Sequence, residues 1–208
     1  MPKVKVRTFS PNEKLVEQRR KRIAEKATVV FLRNGYEKTT MRDLGKALKM
    51  APGSLYHYIG YKKDILHLIV LNTALGSQPI KDYVNQLGEL SSSKALTKAM
   101  GFCFKNADSI ENPLMLFNRY ILEFSREDFH HLLASEIDVT SYFEQLIKDG
   151  VDTGVFSCND PRLLAHDILM FSNNWALRKW YLKKYYTLES YTKKHTKMVL
   201  DILKAKDN

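Results

Sequence analysis

Ile23, Ala27, Val30 and Phe31 recur at helical spacing, with Ala24 beside them, and predict an amphipathic helix over 13–34 with one buried stripe. Gly35 is a stop for it, and Tyr36 is expected to pack back on its end. Met41, Leu44 and Leu48 predict a second, shorter helix that faces inward. Thr40-Met41-Arg42-Asp43 opens it as a Thr-x-x-acid capping box. Lys49-Met50-Ala51 reads as a turn, and Pro52 suits the first turn of a third helix reaching Tyr58. Gly53 is expected to bring its backbone close to a neighbour. Gly60-Tyr61 breaks the third helix, and Lys62 opens a fourth that carries Ile65, Leu66, Ile69 and Val70. The fourth helix is expected to reach about Gln86, with Pro79 kinking it or ending one segment.

The helical pattern continues after the loop at 87–93. Helices are expected over 94–109, 114–126, 130–150, 161–185 and 188–205. Glu111-Asn112-Pro113 separates two of them, Gly150 and Gly154 frame a turn, and Asp160-Pro161 caps and opens the next helix. The expected fold class is therefore all-α. A helix-turn-helix domain of three short helices at 1–67 precedes a larger helical domain at 68–208. No run of 18 apolar residues occurs, so no membrane span is expected, and the N-terminus lacks the apolar core of a cleaved signal. Cys103 and Cys158 lie far apart and make no CxxC, as expected of two reduced cytoplasmic thiols.

Charge changes the picture. Residues 1–67 hold 16 of the 33 Lys and Arg but only 6 of the 23 Asp and Glu, so the whole net charge of +10 sits in the first module. Residues 68–208 balance to zero. A basic module joined to a neutral one points to a polyanion as the partner of the first, the alternative being a merely solvated basic surface.

The third helix sharpens that reading. Leu55 and Ile59 sit four apart and can bury together, which leaves Ser54, His57 and Tyr58 outside and Tyr56 across a flank. Hydroxyls, an imidazole and phenols can all donate to phosphates, and some can reach base edges. Gly53 and the helix N-terminus admit a phosphate to backbone N–H groups, Lys62 and Lys63 add charge behind, and the Arg19–Arg22 run adds more. The competing reading is a small aromatic satellite core.

Catalysis is not expected. His57, His67, His130, His131, His166 and His195 form no HExxH and no spaced triad. There is no nucleophile elbow and no glycine-rich phosphate loop. No catalytic residue, metal site or cofactor is expected.

The stretch from Arg22 to Leu66 resembles the tetracycline-repressor (TetR) family of bacterial transcription regulators. The resemblance rests on Ile23, Ala27 and Phe31, then Gly35-Tyr36, Thr39-Thr40, Asp43-Leu44, Gly53-Ser54-Leu55-Tyr56-His57-Tyr58, and Lys62 before Ile65-Leu66. It implies an all-helical cytoplasmic homodimer with a DNA-binding helix-turn-helix domain and a helical domain that binds effector and dimerises. By position, Thr40 resembles the family's phosphate-binding residue on the second helix. Tyr56 and His57 resemble its phosphate-contacting pair, and Lys62 its backbone-anchoring lysine. Pro52, Gly53 and Ser54 take the positions nearest bases, and Arg42 and Tyr58 complete the DNA-binding set. Ala51, Ile59 and Tyr61 depart from the usual Ser or Thr cap, Phe, and Ser or Thr cap. The partner implied is a palindromic double-stranded operator; a non-specific or architectural DNA-binding protein is the alternative.

In the second domain, Phe102, Phe104, Met115, Phe117, Tyr120, Phe124, Phe143, Met170, Phe171, Asn173, Asn174 and Trp175 could line an apolar cavity for a small hydrophobic effector, or simply fill a core. The segment Asn173 to Tyr181 resembles the Asn-Trp…Arg-Trp-Tyr signature of the family's regulators of fatty-acid and sterol breakdown, and Gln145 to Phe156 also resembles theirs. Their effectors are acyl-CoA thioesters. Arg178 and Lys179 could then meet the head-group phosphates; in the simpler reading Arg178 pairs with an acid and the tryptophans pack a dimer seam. The last two helices, with Tyr191, Met198, Val199, Ile202 and Leu203, are the pair through which family subunits associate.

Overall fold

A computed structural model of the protein describes residues 13–109, 112 and 114–206, and among them there is no strand. The elements are α1 (Glu13–Asn34), α2 (Met41–Leu48), α3 (Pro52–Leu55), α4 (Lys62–Thr73), α5 (Gln78–Asn85) and α6 (Ser92–Ala107). They continue as α7 (Leu114–Arg119), a 3-10 turn (Ile121–Glu123), α8 (Arg126–Asp152), α9 (Pro161–Leu182) and α10 (Leu188–Ile202). The stop signals at Glu111 and Pro113 and the first twelve residues lie outside the described residues.

Several expected boundaries change. The third helix keeps its α-helical turn only over Pro52–Leu55, and Tyr56 to Tyr58 form a turn closed by Tyr58 N–H donating to Leu55 O at 2.9 Å. The fourth helix ends at Thr73 rather than near Gln86. Gly76 then takes a positive φ of 62°, which no helix tolerates, and Pro79 falls in the first turn of the separate α5. Asp138 on α8 fixes the new start by accepting from Ser77 N at 2.8 Å and Ser77 Oγ at 2.9 Å. The segment 114–126 splits into α7 and the 3-10 turn, so α8 begins four residues earlier than its pattern suggests.

The described residues pack as two compact units. One unit comprises the described residues of 1–74 and 113–132, the other those of 75–112 and 133–208. In the first, Ile23, Phe31, Leu44, Leu55, Ile59 and Ile65 have no exposed surface, and Leu116 and Tyr120 join the same core. Tyr36 does pack back on α1, with its ring edge-on to Phe31 at 5.1 Å. Its backbone N–H donates to the Tyr120 hydroxyl at 3.1 Å. His67 on α4 is buried against Asp128 at the start of α8, with Nδ1 2.5 Å from Oδ1.

The second unit is built around Trp175, which is wholly buried and donates its indole N–H to Asp108 at 2.9 Å. Tyr191 and His195 of α10 close over it with Phe104 and Phe171; the His195 ring lies 4.3 Å from that of Tyr191. His195 Nδ1 is buried with no hydrogen-bond partner among the described residues, and desolvation holds the imidazole below its ordinary pKa of 6.5. The sign follows from proton binding: the unfolded chain protonates first, so this group's contribution is complete above pH 6.5 and is lost as pH falls through the lowered folded pKa. A His195→Leu variant should therefore lose less stability than the parent on acidification from about pH 7 to about pH 5, measured as urea midpoints. Parallel curves would remove His195 as the cause.

Candidate functional site

The α2–turn–α3 substructure is assembled by local chemistry. Thr40 Oγ1 accepts from Asp43 N–H at 3.2 Å, and Asp43 Oδ2 accepts from Thr40 N–H at 3.0 Å, which completes the capping box. The Thr40 hydroxyl also donates to that carboxylate at 2.6 Å. These hydrogen bonds hold the exposed Asp43 carboxyl below its ordinary pKa. Lys49 closes α2 in the left-handed region, at φ 55°. Met50 N–H then donates to Gly45 O at 2.8 Å.

Gly45 matters here, although its sequence context gives no hint of it. A Cβ at this position would stand 2.7 Å from the Met50 carbonyl oxygen, and backbone cannot swing away as a side chain could. Glycine is what lets the turn fold against α2. In Gly45→Ala, the cost of overpacking, about 1–3 kcal/mol, outweighs the gain of about 1 kcal/mol in helix propensity. A net loss of about 1 kcal/mol in chemical denaturation is expected. An unchanged midpoint would show that the turn relaxes freely.

The residues expected on the DNA face fall largely outside. Thr40, Arg42, Pro52, Gly53, Tyr56 and His57 are exposed, Ser54 is half-buried, and Leu55 and Ile59 beneath them are fully buried. Gly53 has no neighbour: nothing lies within 4 Å of an added Cβ, so the close approach it allows is toward the outside. Ala51 provides no side-chain cap to α3, as expected from its type. Tyr58 is half-buried against the core, and its carbonyl accepts from Arg20 Nε at 2.9 Å. Arg20 thus holds the end of the α3 segment on α1. Burial lowers its pKa, and nearby Asp64 works against that. Asp64 also accepts from Gly60 N–H at 2.8 Å and Tyr61 N–H at 2.9 Å, which sets the start of α4.

Lys62 sits differently from a free phosphate anchor. Its ammonium donates to the carbonyls of Tyr36 at 2.8 Å, Thr39 at 3.1 Å and Glu37 at 3.3 Å, and lies 4.4 Å from the Tyr36 ring centroid. An ammonium has three donors, and all three are used on the loop between α1 and α2. Lys62 therefore fixes the height of α2 relative to α4, while the exposed Arg22, Lys26, Arg42 and Lys63 present free charge.

The residues expected to line an effector cavity fall into two groups. Phe117, Tyr120 and Phe124 belong to the first unit, where Phe117 and Phe124 pack edge-on at 4.9 Å against its core; Met115 of α7 is exposed. In the second unit, Phe143 and Trp175 are filled-core residues, Met170 and Phe171 are half-buried, and Phe102 packs on Tyr83 at 5.2 Å. Asn174 and Arg178 are exposed. Lys179, not Arg178, makes the acid pair, reaching Asp108 Oδ1 at 2.8 Å and the Asp108 carbonyl at 2.7 Å.

Among the described residues no group of three or more His, Cys, Asp or Glu is placed to hold a metal. His131 and His166 make long contacts to Glu127 and Asp167 in the open, and burial pushes the Cys103 thiol up to about 12.

Residues 23–69 match the family described as bacterial regulatory proteins, tetR family. The chain is 39% identical over 67 residues to the HTH-type transcriptional regulator HbdR of Aromatoleum sp. (strain CIB). That match spans 32% of this chain and 29% of HbdR, less than a third of the relative's length. A tetR-family regulatory protein from Rhodococcus RHA1 has the same fold, with a TM-score of 0.72 at 20% identity over 90% of this chain and 98% of that one. AibR, solved in complex with isovaleryl coenzyme A and operator DNA, also has the same fold, with a TM-score of 0.67 at 20% identity over 90% of this chain and all of that one.

Proposed function

From the match of residues 23–69 to the tetR family of bacterial regulatory proteins, we propose that the protein is a sequence-specific, ligand-responsive transcriptional repressor. The observation that carries this reading is the strip of Pro52, Gly53, Tyr56 and His57, exposed with a half-buried Ser54 over a fully buried Leu55 and Ile59, its end held by Arg20. In a helix-turn-helix the second helix enters the major groove, so Pro52 to Ser54 take the base-reading role. Thr40, Tyr56 and His57 take phosphates, for which Thr40 must turn its hydroxyl away from Asp43. The deciding measurement is the affinity for a selected operator against random DNA at about 150 mM salt. A ratio of about 10³ or more is expected. A ratio near one would establish the architectural alternative instead.

The protein acts as a homodimer on a palindromic operator in the cytoplasm. Supporting this, Leu163 of α9 and Met198 and Ile202 of α10 are 58%, 38% and 52% exposed, an apolar surface in need of cover. A two-fold pair would present two reading helices at half-site spacing. Ile202→Glu should leave a folded monomer in analytical ultracentrifugation, with operator affinity reduced to that of a single half-site. No described helix is long and apolar enough to cross a membrane.

The effector is a small hydrophobic molecule, with acyl-CoA thioesters as the first class to try, since AibR was solved with isovaleryl coenzyme A. With Lys179 committed to Asp108, the exposed Arg178 is the group left to meet a head-group phosphate. A DNA-release assay over acyl-CoAs of several chain lengths tests this. If none acts below about 100 μM, acyl-CoA is excluded as effector and the DNA-binding reading stands.

A further inference from the structure

The second unit carries a groove of about 1050 Å³ between α6 and α10, and none of the aromatic, Met, Asn or Arg residues expected to bind effector lines it. Its lining includes Gly101, Leu188, Leu200 and Ala205, with Tyr83 of α5. It is also lined by Lys98, Lys105, Lys193 and Lys197 together with the carboxylates Glu189 and Asp201. We propose that this groove binds a single-chain amphipathic anion, an alkyl tail with a carboxylate or phosphate head.

Three observations support it. Lys197 and Asp201 neutralise each other at 2.8 Å, whereas among the described residues Lys98, Lys105 and Lys193 have no ion pair, although the unit they sit in balances overall. The lining carboxylate Glu189 offsets only one of these three lysines, so the head group meets net positive charge, while Gly101, Leu188, Leu200 and Ala205 offer apolar surface to a tail. Gly101 is the second observation. It lies inside α6, where glycine weakens a helix, yet nothing lies within 4 Å of the Cβ it lacks. No internal contact demands glycine there; its effect is to deepen the groove. The third is access. The lining residues Leu188, Thr192, Thr196 and Leu200 follow one another at intervals of four along α10. Met198 and Ile202 each lie two residues, about 200°, from Thr196 and Leu200, so the apolar face offered to a second subunit is the opposite one. Pairing through that face leaves the groove open. Its walls run about 12 Å along α6 from Thr97 to Lys105 and about 20 Å along α10 from Leu188 to Asp201, enough for an extended chain.

The test is isothermal titration of the full chain with dodecanoate and dodecyl phosphate below their micelle concentrations. Dodecyl maltoside serves as a neutral molecule with the same tail. At least one of the anions should bind, and the neutral compound should bind at least about tenfold more weakly. The double variant Lys98→Ala/Lys193→Ala, which touches only exposed side chains, should weaken the anion about tenfold. Gly101→Leu should fill the groove and abolish binding with the melting temperature unchanged or raised. Equal binding of the neutral compound, full binding by the lysine variant, or full binding by Gly101→Leu would each overturn the proposal, as would failure of both anions to bind. All of these readouts are on the protein alone, so they stand or fall separately from DNA recognition.

Discussion

Lys62→Ala is expected to unfold more easily than the parent by about 2 kcal/mol, while the slope of log affinity against log salt stays unchanged. The reason is geometric. Three carbonyls of the loop between α1 and α2 converge on one ammonium, which also lies over the Tyr36 ring. Hydrogen bonds to a charged donor contribute about 1.5–3 kcal/mol in favourable cases, and the partial exposure of Lys62 lowers the sum. Without the ammonium, α2 loses its spacing from α4, and every DNA sequence should be bound more weakly by a similar factor. Arg42→Ala is the contrasting variant. Its exposed guanidinium is free to release a counterion, so it should reduce the salt slope by about one and leave the denaturation midpoint alone. The opposite result for Lys62, a normal midpoint with a slope lower by about one, would restore it as a direct phosphate ligand.

The contrast also shows what a sequence can and cannot display. The Thr40–Asp43 box and the four-residue spacing of Leu55 and Ile59 are local, and both stand in the structure as their residue types dictate. The acceptors of Lys62 are backbone carbonyls 23 to 26 residues away, and a backbone carbonyl has no letter in the sequence. The end of α4 is hidden for a related reason. Ile80 and Val84 continue an apolar pattern past Thr73, whereas the break is made by Gly76 and by Asp138, 61 residues on from Ser77. The aromatic residues of 114–126 read equally well as a ligand-binding wall or as core. For Tyr120 the N–H of Tyr36, 84 residues earlier, decides for core. Gly45 gives no signal in the sequence because its constraint is a close approach by a carbonyl oxygen, visible only once the turn is closed.

Asp128→Ala should cost the first unit about 3 kcal/mol, more than the loss expected for Lys62→Ala. Asp128 and His67 are 3% and 7% exposed, and the His67 Nδ1–H donates to Asp128 Oδ1 at 2.5 Å. The other carboxylate oxygen accepts from Ser125 N–H at 2.9 Å and Ser125 Oγ–H at 2.7 Å, and so caps α8 as well. Removing it strands a buried imidazole and the two Ser125 donors at once, and an unpaired buried group costs more than its bond contributed. Burial works against ionisation of Asp128, but the hydrogen bonds from His67 and Ser125 prevail and hold its pKa below the ordinary 3.8. A lowered carboxylate pKa means that the unfolded chain takes up the proton first. The contribution is therefore complete above pH 3.8 and disappears as pH falls through the folded value. The stability curves of parent and Asp128→Ala should run about 3 kcal/mol apart at neutral pH and draw closer as pH falls below 3.8. Asp128→Asn keeps an acceptor for His67 and should recover part of the loss. Because α4 carries Lys62 at its first turn and His67 within its length, the same substitution should also weaken operator binding at neutral pH. A separation under about 1 kcal/mol, or curves that stay parallel in acid, would mean that α4 is held by its apolar face alone.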